Sequence, residues 1–444
     1  MIEGFRGNSY LETIYSLLPA LKILRDPAHE PVRNAGFPCL NQVILIGNSL
    51  QPGLLPYSQV AALGEKIRDE ALNQRQKSVS PQDVAQIQYT SGTTGFPKGA
   101  TLTHHSLVNN VFLFATRGNI GSEERYLTAM PFFHTAGCVL GVLAALVTGS
   151  TLIPLIAFDP VKELELIAAE KATFSLNVPT MFAAMLNHPR FLAGEFDTSS
   201  LRHLSCGGSP VPVALMEQVK SRMGADTWVA YGLTEASPII TQAIPADSFA
   251  LRSATVGLPL PHTDVKIINP QTGEPAFLGQ AGELLTRGYL VMKGYYKMPE
   301  KTAESIDAEG WLRTGDLATM NAQGYINIVG RVKDMIIRGG ENLFPAEIEA
   351  FLMRYPKVAE AQVVGVPDSR MIEEAAALLR LKPETSADEN EIREYCLKGI
   401  SRHKIPKYIR FVTEFPLTAS GKVKKFELRA QLIRELGLKE MRTA

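Results

Sequence analysis

Cysteine is scarce in this chain of 444 residues: Cys39, Cys138, Cys206 and Cys396 are the four present. They form no CxxC pair and have no histidine at metal-ligand spacing. This argues against a disulfide framework or a zinc site and fits a reducing compartment, read here as the cytoplasm. An excess of either charge is also missing, since Lys+Arg and Asp+Glu both number 45. Such a chain is not a nucleic-acid polyelectrolyte, so no nucleic-acid partner is expected, and small-molecule substrates must be sought at local sites. The sequence leaves a homo-oligomer open. No apolar run reads as a membrane span: the most apolar stretch, Cys138 to Phe158, is interrupted by Thr148, Gly149, Ser150 and Pro154 and reads as helix, turn and buried strand. The N-terminus carries Glu3 and Arg6 among glycines and lacks the basic start and apolar centre of a signal peptide. Internal repeats and low-complexity tracts are absent as well.

What remains is an ordinary globular composition, 45% hydrophobic and 20% charged, long enough for a large domain plus a smaller one. Residues 1–80 look irregular, with one buried-strand signal at Val43–Gly47. From Gln82 short apolar runs alternate with amphipathic ones. Val84–Tyr89, Ser150–Leu155 and Phe174–Val178 read as strands; Ser106–Ala115, Val161–Glu170 and Val213–Met223 read as helices. That alternation predicts α/β layers on a largely parallel sheet. Beyond Thr255, closely spaced turns and short strands (Val265–Ile268, Gly282–Arg287, Tyr325–Val329) predict a β-rich subdomain. A domain boundary is placed near Arg331–Lys333. After it a small α+β unit is predicted, with Glu347–Arg354, Val358–Val366, Ala375–Leu381 and Asp388–Ile400 as its segments. Between Lys398 and Ala444 there are twelve Lys/Arg against four Asp/Glu, which reads as a phosphate-facing surface or a solvated basic face.

The strongest local signal is Tyr89-Thr-Ser-Gly-Thr-Thr-Gly-Phe-Pro-Lys-Gly99, between a strand and a segment leading into a helix. Gly92, Gly95 and Gly99 permit close backbone approach, so successive N–H groups can form a nest for anionic oxygens. Thr90, Ser91, Thr93 and Thr94 add hydroxyls and Lys98 a charge. This is not a Walker A loop, because Pro97 precedes Lys98 and Gly99 follows it. A plain Ser/Thr/Gly surface loop is the bland alternative, and the density of hydroxyls and glycines argues against it.

The segment YTSGTTGFPKGA resembles the phosphate-loop signature of the adenylate-forming enzymes, which include acyl-CoA synthetases, luciferases and amino-acid adenylation domains. Six further motifs follow in order: Pro131-Phe-Phe-His-Thr-Ala-Gly137, Gly207-Gly-Ser-Pro210, Tyr231-Gly-Leu-Thr-Glu235, Trp311-Leu-Arg-Thr-Gly-Asp316, Gly330 to Asn342, and Thr418-Ala-Ser-Gly-Lys422. Together they cover about residues 82–430. RGYLVMKGYYKMPEKT, VGRVKDMIIRGGEN and HKIPKYIRFV look most like the medium-chain acyl-CoA synthetases grouped with acyl-CoA synthetase family member two.

The resemblance implies ATP, Mg²⁺ and coenzyme A as reactants, and it implies roles. Thr90, Ser91, Gly92, Thr93, Thr94, Gly95 and Lys98 would hold the ATP phosphates. Glu235, with Thr94, would bind Mg²⁺. Gly207, Gly208, Ser209, Pro210, Tyr231, Gly232 and Thr234 would form the adenine site, with Asp316 and Arg331 on the ribose. Lys422 would be catalytic in adenylation. Lys333 would be the hinge about which the small domain turns, exchanging Lys422 for the Gly339–Gly340 loop before thioester formation. His134 either gates the acyl site or packs in the core, and Asn177, Val178, Pro179 and Thr180 would line the acyl pocket. No acidic residue lies in PFFHTAG where amino-acid adenylation domains carry their amine-binding Asp, which disfavours an amino-acid substrate.

The domains implied are 1–330, an N-terminal AMP-binding domain incomplete at its start; 331–333, the hinge; and 334–444, a C-terminal domain. Two departures stand out. The family's N-terminal domain runs well beyond what precedes Tyr89 here. The family also commonly has glycine where Ile372 stands, and glycine there suits an unusual backbone angle. Two other readings remain: transfer of the acyl group to a carrier-protein thiol, although no restraining insertion lies between Asp316 and Gly340, and a catalytically weakened nucleotide-binding relative.

Overall fold

The computed structural model describes residues 1–5, 7–47, 49–90, 97–417 and 423–438. It is a mixed α/β structure that divides into two compact units, Met1–Ser80 and Pro81–Ala444.

The first unit is more regular than its sequence indicates. A hairpin pairs Gly4–Phe5 with Asn8–Ser9, and Ser9 caps the helix Tyr10–Leu17 by accepting from the Glu12 N–H. Ile44–Leu45 runs parallel to Leu55–Pro56. Leu18, Leu21, Val32, Val43, Leu45 and Leu54 close a small core. Gly53 crosses this core with φ +67°, where a Cβ would stand 1.9 Å from the Leu21 carbonyl oxygen. Tyr57–Gly64 and Asp69–Lys77 are helices without a buried residue, which is why no apolar periodicity announces them.

In the second unit a seven-stranded sheet runs in the order Leu258–Pro259, Ile239–Gln242, Asp226–Gly232, His203–Gly207, Phe174–Asn177, Arg125–Thr128, Thr151–Pro154. Asp226–Gly232 through Thr151–Pro154 are mutually parallel, and Ile239–Gln242 is antiparallel to both of its neighbours. The largely parallel sheet expected from the alternation is therefore present. One face receives the helix His104–Arg117, started by a reciprocal cap between Thr103 and Ser106. Its buried residues Leu107, Val111, Phe114 and Ala115 recur at helical spacing. Phe114 meets Trp228, which stacks on Phe174 at 5.9 Å between centroids. Burial of each such side chain contributes roughly 1.5–3 kcal/mol.

A three-stranded sheet orders Gly294–Tyr295, Lys98–Thr103 and Val84–Thr90, and a four-stranded antiparallel sheet orders Thr263–Ile268, Gly282–Gly288, Leu312–Met320 and Ile326–Arg331. The latter is the β-rich segment expected after Thr255. A 3₁₀ turn, Val332–Asp334, leads into a separate five-stranded sheet in which Ile372–Leu381 pairs with Val358–Asp368, Ile336–Arg338 and, in parallel, Tyr408–Phe411. The helices Pro345–Leu352 and Glu389–Gly399 supply Ile348, Leu352, Ile392 and Cys396 to its core.

Ile372 stands at φ +70°, in the left-handed region where a β-branched residue is strained. Its side chain is exposed, so replacing it forfeits little burial. Relief of roughly 1–2 kcal/mol of left-handed strain exceeds the chain-entropy cost of glycine, roughly 0.5–1 kcal/mol. Ile372→Gly should therefore slow amide hydrogen exchange across the Val358–Asp368 and Ile372–Leu381 hairpin. Faster exchange in the variant would contradict the strain assignment.

Candidate active site

Ligand sites in open parallel sheets lie beyond the carboxyl ends of the strands. Here three neighbouring strands end at Asn177, Gly207 and Gly232, bringing together residues that the sequence assigned to the acyl and adenine sites. Gly207 must lack a side chain, because a Cβ would lie 2.6 Å from the Ala230 carbonyl oxygen; Gly208 follows at φ +82°. Gly208, Ser209 and Pro210 are exposed at this edge.

Beyond Gly232 the chain turns sharply, and a Cβ on Gly232 would meet the Pro238 carbonyl oxygen at 1.8 Å. The turn holds the buried Thr234 and the partly buried Glu235. Asn110 fixes it from below: its amide donates to the Ile239 carbonyl at 2.8 Å and its carbonyl accepts from the Ile239 N–H at 3.0 Å.

Two polar groups flank this turn. In the first, Asp316 and Arg331 are directly opposed across antiparallel strands. Arg331 Nε donates to Asp316 Oδ1 at 2.8 Å, and the Tyr231 hydroxyl donates to Asp316 Oδ2 at 2.7 Å. Burial first, and then the Asp316 charge, push the Tyr231 phenol well above its ordinary value, so it stays a donor. Lys333, in the following turn, is close enough to Asp316, Arg331 and Asp334 to feel their charges.

In the second group, Lys98 Nζ donates to the Tyr295 hydroxyl at 3.1 Å, and that hydroxyl donates to Glu235 Oε1 at 2.8 Å. Glu235 Oε2 has no hydrogen-bond donor among the described residues. Thr90 and Lys98 face each other in register at the base of the phosphate loop. Ser91, Gly92, Thr93, Thr94 and Gly95, and likewise Lys422, lie outside the described residues. Tyr295 was not singled out as a site residue from sequence; it stands in the quoted KGYYKMPEKT, but its spacing carries no chemical signal.

A carboxylate with one open oxygen suits magnesium, which takes one or two protein carboxylates beside substrate phosphates and water. Among the described residues no group of three or more His, Cys, Asp or Glu could hold a metal unaided. The open Glu235 oxygen fits a single protein ligand to a metal that enters on a triphosphate.

His134 caps the short helix Thr135–Gly137, its Nδ1 accepting from the Ala136 N–H at 3.1 Å. The preceding Phe133 carbonyl is held by Gln88, a buried residue of the phosphate-loop strand that sequence reasoning missed. Phe132 and Phe133 are exposed beside His134. Gly339 and Gly340, at φ +60° and +89°, form the two-residue turn between Ile336–Arg338 and Glu341–Leu343. Such a turn needs positive φ at both positions. Its Gly339 N–H donates to the Met371 carbonyl at 2.8 Å, and this hydrogen bond ties it to the Ile372 hairpin.

Asn177 is buried, and its amide donates to Glu163 and to Ser175. It thus braces the strand end from inside, while Val178 and the exposed Thr180 follow at the edge. Glu163 is fully buried, and burial pushes its carboxyl up to about 7 against the opposing bonds from Asn177 and Ser175. Among the described residues Glu163 Oε2 and Asn177 Oδ1 are both acceptors without a donor. Because the folded value exceeds the unfolded 4.5, the native state binds the extra proton. Its stabilisation is complete below pH 4.5 and is lost as pH rises to about 7, at most on the order of 3 kcal/mol. Glu163→Gln stays neutral at every pH and keeps an acceptor for the Asn177 amide. Its melting temperature should exceed that of the wild type at pH 8 by more than at pH 5; equal pH slopes would contradict this.

With the geometry established, the relatives can be considered. The AMP-binding enzyme family matches residues 33–296, and the AMP-binding enzyme C-terminal domain matches 347–422. The chain belongs to the AMP-binding enzyme family. Within it, this is an adenylate-forming acid–thiol ligase. YngI of Bacillus subtilis, which carries the name of an acyl-CoA synthetase, is 46% identical over 439 residues, 99% of this chain and 79% of its own. The human mitochondrial medium-chain acyl-CoA ligase ACSF2 is 42% identical over 445 residues, 98% of this chain and 71% of its own. Among solved structures, the anthranilate CoA ligase AuaEII in complex with anthranoyl-AMP aligns with a TM-score of 0.77 at 27% identity, covering 90% of this chain and 75% of that one. ATP-bound MatB of Rhodopseudomonas palustris aligns at 0.74 with 31% identity, covering 80% and 69%. Among the described residues no helix is long and apolar enough to cross a membrane.

Proposed function

We propose that this ligase joins a medium-chain fatty acid to coenzyme A through an acyl-adenylate. The observation that carries the reading is the pair of polar groups on one strand-end turn: Tyr231 leads to Asp316 and Arg331, and Glu235, four residues on, leads to Tyr295 and Lys98. One segment thus addresses a nucleotide's sugar and its phosphates.

Asp316 uses one lone pair of each oxygen on its protein partners and keeps acceptor capacity for two ribose hydroxyls, since a carboxylate offers about four acceptor sites. Lys98 and the backbone of the 91–95 loop hold the β- and γ-phosphates. Magnesium held by Glu235, with Thr94, would neutralise charge on the triphosphate. Gly207–Pro210 gives the adenine a flat backbone edge. Lys422 bridges the substrate carboxylate and the α-phosphate. The carboxylate oxygen then attacks the α-phosphorus and the bond to pyrophosphate breaks, a reaction governed by positioning and charge. Turning of residues 334–444 about Lys333 brings the Gly339–Gly340 turn to the site. The thiolate of coenzyme A attacks the acyl carbon and AMP leaves. Hinge residues need only absorb the dihedral change.

The identity to medium-chain ligases supports the choice of acid, as do the exposed Phe132 and Phe133 and the lack of an acid in PFFHTAG. Four free cysteines suit a reducing cytoplasm. The test is a panel of straight-chain acids, with a short dicarboxylate and anthranilate as outliers, supplied with ATP and coenzyme A. AMP and pyrophosphate should appear together in equal amounts, fastest with medium chains. ADP with phosphate would reject the adenylate route, and preference for an outlier would reject the acid.

A further inference from the structure

Lysine carries only donors and a carboxylate only acceptors, whereas a phenol has one donor and one acceptor site. Tyr295 uses both, accepting from Lys98 and donating to Glu235. Lys98 Nζ also lies 4.2 Å from the centre of the Tyr295 ring. Among the described residues Lys98 and Glu235 form no direct ion pair.

The backbone keeps the phenol in this position. Tyr295 pairs with Ala100 in register, and its N–H donates to Thr302 Oγ1 at 2.9 Å. The Met292 N–H donates to the Glu235 carbonyl at 2.9 Å, and the Tyr296 N–H donates to the Gly99 carbonyl at 2.7 Å. The segment Met292–Tyr296 is therefore bound at one end to the Glu235 turn and at the other to the Lys98 strand. Gly294, at φ +146°, would bring a Cβ to 2.7 Å from Thr302, so the close approach depends on its missing side chain. The Tyr295 ring is buried in the main core.

We propose that Tyr295 is a positioning residue that keeps the phosphate-loop ammonium of Lys98 from closing onto the carboxylate of Glu235, holding both ready for a metal-complexed nucleoside triphosphate. A direct ion pair would satisfy both charges with each other. With the hydroxyl between them, Lys98 can leave for a phosphate while Tyr295 still orients Glu235, whose second oxygen stays open. This rests on the adenylation reading for the roles of Lys98 and Glu235.

Tyr295→Phe removes the hydroxyl and keeps the ring, so the core packing survives. Binding of ATP to the full chain is measured by calorimetry over a range of free Mg²⁺, beside the melting temperature, for the wild type, Tyr295→Phe, Glu235→Gln and the double variant. We expect Tyr295→Phe to weaken Mg·ATP binding about tenfold and raise the half-saturating Mg²⁺ severalfold, and to add little in the Glu235→Gln background, because the carboxylate it guards is gone. Unchanged binding in Tyr295→Phe, or strictly additive losses, would overturn the proposal. Binding does not require the acid. Coupled losses in a protein that releases no AMP would sink adenylation alone; AMP release with uncoupled binding would sink this inference alone.

Discussion

Asp316→Asn should lower the efficiency of ATP use by on the order of 10²-fold, with the loss concentrated on the ribose. Asp316 is 4% exposed and has Arg331 and Tyr231 on separate oxygens. The amide keeps the shape but removes the charge and turns one acceptor into a donor. Arg331 then loses its counter-charge, and the sugar loses acceptors to a charged group, each such bond contributing roughly 1.5–3 kcal/mol. One lost bond accounts for about tenfold or more, since about 1.4 kcal/mol is a factor of ten. The discriminating measurement uses 2′,3′-dideoxy-ATP. The wild type should handle it far worse than ATP, and the variant should treat the two nearly alike. A variant that still discriminates as the wild type does would remove Asp316 from the ribose site.

Lys422→Ala should have the larger effect, slowing acyl-adenylate formation on the order of 10³-fold, as expected when one preorganised donor to developing charge is removed. Its position has a local logic. Leu417 and Val423 form an antiparallel bridge, and the Lys424 N–H donates to the Pro416 carbonyl at 2.9 Å, so the chain on either side of 418–422 is pinned. Lysine carries its charge as a compact ammonium, a chemistry suited to two anions at once. Thioester formation from supplied acyl-adenylate should change by no more than a few-fold, because the proposed turn about Lys333 would carry Lys422 away in that half-reaction. Equal loss in both assays would reject the proposed division of labour.

The two expectations differ in how far the sequence could reach them. Asp316 and Arg331 were reached from sequence through the resemblance carried by TGD and GRVKD, whereas their direct opposition across antiparallel strands, fifteen residues apart, emerges only in the fold. The parallel sheet was readable for a local reason: Phe174–Asn177 and Val213–Met223 show strand and helix patterns within their own lengths. Tyr295 was not, because its meaning arises from pairing with Ala100, far away in sequence. Glu163 also escaped notice: an acid in the first turn of the helix Pro160–Glu170 looks like ordinary dipole chemistry, and only the fold buries it against Asn177. The helix Asp69–Lys77 was missed because it buries none of its residues.

The contact between Lys98 and Tyr295 spans 197 residues, and that separation has a consequence during synthesis. A ribosome adding roughly 5–20 residues per second delivers the phosphate-loop strand roughly 10–40 s before the tyrosine that completes its surroundings. Through that interval the lysine is exposed without its phenol partner, and the strand Lys98–Thr103 lacks the neighbour Gly294–Tyr295 along one edge. Pairings between such distant segments must meet their loop-closure cost before any contact rewards it. On the proposed role of Lys98, the nucleotide site is completed late, after the parallel sheet has been made.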